Sequence, residues 1–196
     1  MDGSNGFRIL GLAGSLRRAS LHRGLIRAAR ELAPEGVTIE YYDELDEIPF
    51  FNQDVENEGD PAPVRELKEK IQAADAVLIA TPEYDYAIPG VLTNALDWAL
   101  RSPSPLRHKP VGIVGASPGS TGTARGQMVL RQILLHAPAY TMPEPQMLIP
   151  NARQRFDENG DLTDEETRDR MRRFLAALVK WTRQMGQLET ASERST

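Results

Sequence analysis

The run Ala76-Val77-Leu78-Ile79-Ala80 has no polar side chain, so a strand built from it must be buried on both faces. Such a strand belongs in the middle of a parallel sheet with helices on each side, and this requirement fixes most of what the chain can become. Residues 7–13 (FRILGLA) predict a first strand and residues 111–116 (VGIVGA) a fourth. Val37, Ile39 and Tyr41 alternate as a second strand does. Apolar stripes at helical spacing lie between these runs. Leu21, Leu25, Ile26, Ala29 and Leu32 form one, stopped by Pro34 and Gly36. Val64, Leu67, Ile71 and Ala74 form the next, and Leu92, Ala95, Leu96 and Ala99 follow Pro89, which suits a helix start.

A helix over residues 124–135, a short strand near residues 147–149 and a last helix complete the alternation. The last helix carries the stripe Met171, Phe174, Leu175, Leu178 and Trp181, and Thr163 with Glu166 predicts its capping box. Five strands alternating with five helices give a doubly wound α/β parallel sheet with helices on both faces. The chain of 196 residues suits one domain, with an ordered core over residues 7–187 and a frayed polar tail after Gln187. Residues 43–63 are acidic and rich in Pro, Asn and Gly, which predicts a long surface loop.

Composition removes several function classes. There is no cysteine, hence no disulfide, thiolate nucleophile or cysteine-held metal cluster, and redox chemistry would need a bound cofactor. His22, His108 and His136 show no metal-ligand spacing, so no metal is expected. A formal charge of −5 argues against nucleic acid as the main partner. The opening residues have neither a basic nor an apolar leader region, and no apolar run approaches the roughly 18 residues of a membrane span. A soluble cytoplasmic protein is the expectation.

In a doubly wound sheet, ligands bind beyond the carboxyl ends of the strands, so the loops after strands one, three and four are the ones to read. The first, Gly14-Ser15-Leu16-Arg17-Arg18-Ala19-Ser20-Leu21-His22, joins a strand to a helix, where backbone N–H groups and the helix dipole favour an anion. It lacks the GxxxxGK[ST] spacing and the GxGxxG fingerprint, so a single phosphate suits it better than a pyrophosphate. The plain alternative is that Ser20 only caps the helix while Arg17 and Arg18 are solvated. The second, Thr81-Pro82-Glu83-Tyr84-Asp85-Tyr86-Ala87-Ile88-Pro89-Gly90, is rigid and aromatic, fit to wall a flat ring or to cover the sheet edge. The third, Ser117-Pro118-Gly119-Ser120-Thr121-Gly122-Thr123, is made of small residues.

Together, Gly14-Ser-Leu-Arg17 with Ser20, Thr81-Pro-Glu-Tyr84, Ile88-Pro-Gly90 and Asn94-Ala-Leu-Asp-Trp98 resemble the NADPH-dependent FMN reductase family, from about Phe7 to the final helix. The resemblance implies a flavodoxin-like fold and non-covalent FMN, with hydride passing from NADPH or NADH to a quinone, azo compound, free flavin or metal oxyanion. It implies that Ser15, Leu16, Arg17, Ser20 and His22 hold the FMN phosphate side. Pro82, Glu83, Tyr84, Asp85 and Tyr86 would line the ribityl chain and ring, and Ser117 and Gly119 would approach the ring edge. The family usually has Asn where this chain has His22 and Asp85, and a carboxylate turned towards a flavin would lower its potential. It also implies a homodimer or homotetramer, with Phe50, Phe51, Arg125 and Glu144 as candidate contacts.

Two rivals come from other classes. Gly115-Ala-Ser117-Pro-Gly119 matches the GxSxG elbow of serine hydrolases, but Pro118 has no N–H to give an oxyanion. A flavin-binding electron carrier without nicotinamide turnover is the other, and the helical content beyond Leu135 exceeds what a minimal carrier needs.

Overall fold

The computed structural model describes residues 6–193; Met1 to Asn5, the opening read above as carrying no leader, and the last three residues of the tail lie outside the described residues. The chain order is β1 (Phe7–Ala13), α1 (Leu21–Glu31), β2 (Val37–Tyr42), α2 (Gln53–Glu58), α3 (Ala62–Ala73), β3 (Ala76–Ala80) and α4 (Gly90–Ala99). It continues with β4 (Pro110–Ala116), α5 (Ala124–Leu134), β5 (Tyr140–Thr141), β6 (Met147–Ile149) and α6 (Glu165–Glu193). The named strands pair in parallel, in the order β2-β1-β3-β4, with β5 and β6 both on the outer edge of β4. The order reverses between β1 and β3, which opens a crevice at their carboxyl ends.

The central run behaves as its composition requires. Ala76, Leu78 and Ala80 join the core beneath α1 and α6, while Val77 and Ile79 join the core beneath α3, α4 and α5. Glycines let two helices approach the sheet closely. A Cβ on Gly11 would stand 2.9 Å from the Ile26 side chain, and one on Gly112 would stand 3.0 Å from Leu178.

Four expectations need correction. Residues 43–63 are not a bare loop: a 3₁₀ turn at Leu45–Glu47, the helix α2 and the start of α3 lie within them. The Asn52 side chain accepts from the Asp54 N–H and so starts α2, although composition favours a turn. The fifth strand position is divided between β5 and β6, because Pro143 and Pro145 cannot donate to a ladder and β4 pairs once with Thr141 and again from Met147. The predicted capping box is not used: Asp164 Oδ2 accepts from the Thr167 N–H and Oγ1, whereas the Thr163 hydroxyl donates to the Arg155 carbonyl. The tail after Gln187 continues as helix to Glu193.

The segment between residues 48 and 51 is latched to α4. Asn94 Nδ2 donates to the carbonyls of Ile48 (3.2 Å) and Pro49 (3.0 Å), its Oδ1 accepts from the Phe51 N–H, and Trp98 Nε1 donates to the Pro49 carbonyl. Phe51 packs edge-on against Trp98 at 5.0 Å, but Phe50 is 88% exposed.

A short hairpin after β6 braces the start of α1. Phe156 bridges to Leu162, Gly160 sits at φ +78, and Arg27 pairs with Asp161 at 2.5 Å. A Cβ on Gly24 would lie 1.7 Å from the Gly160 carbonyl oxygen, so backbone would have to move. Gly24→Ala is therefore expected to destabilise the protein by about 1–3 kcal/mol or more, through overpacking. Denaturant unfolding checks this, and a midpoint equal to that of the parent would refute the contact.

Candidate functional site

Parallel pairing brings the three loops together. The Gly14 N–H donates to the Ala80 carbonyl and the Thr81 N–H to the Val114 carbonyl, so each loop leaves its strand beside the next. A Cβ on Gly14 would stand 3.3 Å from Pro82 Cδ, and one on Gly115 would stand 1.9 Å from Thr123 Oγ1 and 2.7 Å from the Thr81 carbonyl oxygen. The first loop touches the second, and the second touches the third.

The first loop leaves donors free. Among the described residues, the backbone N–H groups of residues 15–19 have no hydrogen-bond acceptor. Arg17 and Arg18 are exposed with no carboxylate partner among the described residues, and Leu16 is 46% exposed. Ser15 is buried, while Ser20 Oγ accepts from the N–H groups of His22 (3.2 Å) and Arg23 (3.3 Å), capping α1. Arg23 is already engaged, its Nε donating to the Ser15 carbonyl at 3.4 Å and its Nη2 pairing with Asp43 at 2.7 Å. A run of free N–H groups at the start of a helix, flanked by two arginines, fits one phosphate.

His22 does not bring its ring into this set. It is 5% exposed, and its Nε2 accepts from the Ala116 N–H at 3.3 Å, which leaves the ring proton on Nδ1. Burial holds its pKa down at about 3. The neutral ring ties α1 to the end of β4. Its link to the first loop, among the described residues, is its backbone N–H, which donates to the Ser20 hydroxyl.

The second loop turns back on itself. Tyr84 and Ala87 exchange two backbone hydrogen bonds of 3.0 and 2.9 Å around Asp85 (φ +50) and Tyr86 (φ +67). Both central residues have positive φ, as in a type I′ turn, a conformation that costs a tyrosine about 1–2 kcal/mol. The turn is anchored by Glu83, whose side chain is 8% exposed. Its Oε2 accepts from the N–H groups of Arg125 (3.0 Å) and Gly126 (3.1 Å), and its Oε1 accepts from Arg125 Nε at 2.8 Å. Hydrogen bonds to a charged group contribute about 1.5–3 kcal/mol each, enough to outweigh the strain. Thr123, in left-handed conformation with no capping bond, leaves the start of α5 to this carboxylate. Tyr84 (48% exposed) and Tyr86 (66%) stand open, Pro82 is buried, and Asp85 is exposed at the tip.

In the third loop, the Ser117 N–H donates to the Ile149 carbonyl, its carbonyl accepts from Ala152, and Gly119 is exposed. The Ser117 hydroxyl donates to the Gly119 carbonyl at 3.3 Å, and the His22 Nε2 lone pair is occupied by the neighbouring Ala116 N–H. Among the described residues Ser117 thus has no base, which speaks against the hydrolase reading.

Sequence reasoning missed the Glu83 cap, the Gly24–Gly160 brace and the Asn94–Trp98 latch. The Asn159-Gly160 dipeptide was a turn signal for the brace. The other two depend on contacts across 42 to 49 residues, for which a single sequence holds no local mark.

The buried imidazole has a pH signature. Its folded pKa lies below the unfolded value near 6.5, so the unfolded chain binds the extra proton between about pH 6.5 and 3. Its contribution is complete above pH 6.5 and is lost as pH falls, by roughly 2 kcal/mol near pH 5. His22→Asn should remove that part of the acid limb, as measured by urea unfolding between pH 7 and 4.5; an unchanged slope would contradict the neutral burial.

Comparison with known proteins agrees with this geometry. Residues 7–154 match the family described as NADPH-dependent FMN reductase. An NAD(P)H-dependent FMN reductase of Pseudomonas aeruginosa is 42% identical over 183 residues, covering 93% of this chain and 98% of that protein. An NAD(P)H:quinone oxidoreductase of Solanum tuberosum is 42% identical over 177 residues, covering 87% of this chain and 90% of its own length. Among solved structures, the flavoenzyme NAD(P)H:(acceptor) oxidoreductase FerB of Paracoccus denitrificans superposes with a TM-score of 0.82 at 32% identity, covering 91% of this chain and 98% of its own. With a matching family, relatives at this identity and a flavodoxin-like sheet opening on three converging loops, this chain belongs to the NADPH-dependent FMN reductase family of oxidoreductases.

Proposed function

We propose that the chain is an FMN-dependent oxidoreductase that takes hydride from NADPH or NADH and reduces a small acceptor of the quinone class. The observation that carries the reading is the set of unpaired N–H groups over residues 15–19, beside a loop of exposed aromatic side chains. The relatives named above as FMN and quinone reductases support it. When bound, FMN would supply two-electron redox chemistry between the nicotinamide and the acceptor.

The residues divide the work. Ser15, Arg17 and the free N–H groups of the first loop would hold the phosphate, with Leu16 against the ligand and Ser20 setting the direction of the helix. His22 serves from behind, by fixing the helix to β4. Pro82, Glu83, Tyr84, Asp85 and Tyr86 would form the wall along the ribityl chain and ring, with Glu83 acting through α5. Ser117 and Gly119 would close the ring edge. None of these groups has to donate or remove a proton from carbon, so the protein's part is position and electrostatics. Asp85 stands at the exposed tip of this wall.

The proposal includes a cytoplasmic location, where reduced nicotinamide is supplied, and a homodimer or dimer of dimers. The exposed Phe50, with Met128 on α5 (64% exposed) and Leu135 just after it (72%), offers a second copy apolar groups. Among the described residues no helix is long and apolar enough to cross a membrane.

Purified protein should show flavin absorbance that bleaches when NADPH is added without oxygen and returns on adding a benzoquinone. A protein that binds FMN yet is not reduced by NADPH or NADH would instead be the electron carrier.

A further inference from the structure

The exposed turn at Asp85 and Tyr86 is closed by the two backbone hydrogen bonds between Tyr84 and Ala87, and its two central side chains bury little. Both residues sit at positive φ, both are exposed, and Tyr86 is two-thirds open to solvent, so side-chain burial does not fix the conformation. One side chain spans the gap. The Arg125 guanidinium carbon lies 4.1 Å from the centre of the Tyr86 ring while its Nε donates to Glu83 Oε1 at 2.8 Å. Glu83 in turn is fixed by the N–H groups that open α5. Gly126 lets that helix come close: a Cβ there would stand 3.3 Å from the Ala87 carbonyl oxygen and 3.3 Å from Glu83 Cβ. The restraint therefore runs from α5 through Glu83 to Arg125 and from Arg125 to Tyr86, joining the second loop to the first turn of α5.

We propose that Arg125 is a positioning residue: clasped by Glu83 and laid over Tyr86, it holds the aromatic wall of the site in its binding shape before any ligand arrives. The proposal rests on the reading above that residues 82–86 line the flavin and its substrates. A wall ordered in advance has less conformational freedom to lose on each binding event, so its loss appears in KM before kcat. Planarity is essential to the role, since guanidinium can pair with a carboxylate and stack on a ring together, whereas an ammonium on a flexible stem cannot. Arg125→Lys therefore keeps the charge and loses the clasp.

The test uses the protein as purified and compares Arg125→Ala, Arg125→Lys, Tyr86→Leu and the Arg125→Ala/Tyr86→Leu double variant. Amide exchange at Tyr84 and Ala87, the two N–H groups of the turn, is followed by NMR beside that of Leu78 in β3. The expected result is at least tenfold faster exchange at Tyr84 and Ala87 in both Arg125 variants, with Leu78 unchanged. KM for NADPH should rise about fivefold or more with kcat within twofold, and the double variant should be no worse than the poorer single one. Exchange or KM equal to the parent in Arg125→Ala, full function in Arg125→Lys, a loss confined to kcat, or losses that multiply in the double variant would each overturn the proposal. If the protein carries no flavin and turns over no nicotinamide, the functional reading has failed, and the exchange data still report whether the clasp exists.

Discussion

Parallel hydrogen bonding along β3 is the constraint on which the rest depends. Because Ala76 to Ala80 offers only apolar side chains, the strand has to sit between β1 and β4 with helices above and below. Parallel neighbours all end on the same edge. The bonds from Gly14 to Ala80 and from Thr81 to Val114 carry that alignment one residue past the strands, so three loops start within contact of one another. The site is thus a consequence of sheet order, and the loops need only supply chemistry.

What they supply is restraint from the back and open groups at the front. Behind the first loop stand the His22 ring, bonded to Ala116, and the hairpin around Gly160, pressed against Ala19 and Gly24. Behind the second stands Glu83, which acts as the missing cap of α5. In front remain unpaired N–H groups, two arginines and two exposed tyrosines. A site in which the rigid groups are buried and the unsatisfied ones exposed suits a ligand that brings its own chemistry and needs to be held still.

The sequence was most legible where one physical pattern dominates. Apolar runs located the strands, since burial on both faces leaves no other composition, and loop order followed from strand order. It was least legible where short-range polar bonds compete. The stretch holding α2 looks like loop because its helix is started by the Asn52 side chain and carries no buried residue. Thr163 and Asp164 are both good caps, and the ion pair of Asp164 with Arg155 at 2.7 Å tips the choice. His22 looks like a ligand group by its place in the motif, yet its ring lies behind the loop, a fact that depends on the distant Ala116.

If the opening of α1 grips a phosphate, isothermal titration of cofactor-free protein with FMN and with riboflavin shows it. The two ligands share the ring and ribityl chain and differ only in that group. FMN is expected to bind at least about a hundredfold more tightly, about 2.7 kcal/mol, with the gap shrinking as salt rises. Equal affinity for the two would contradict it.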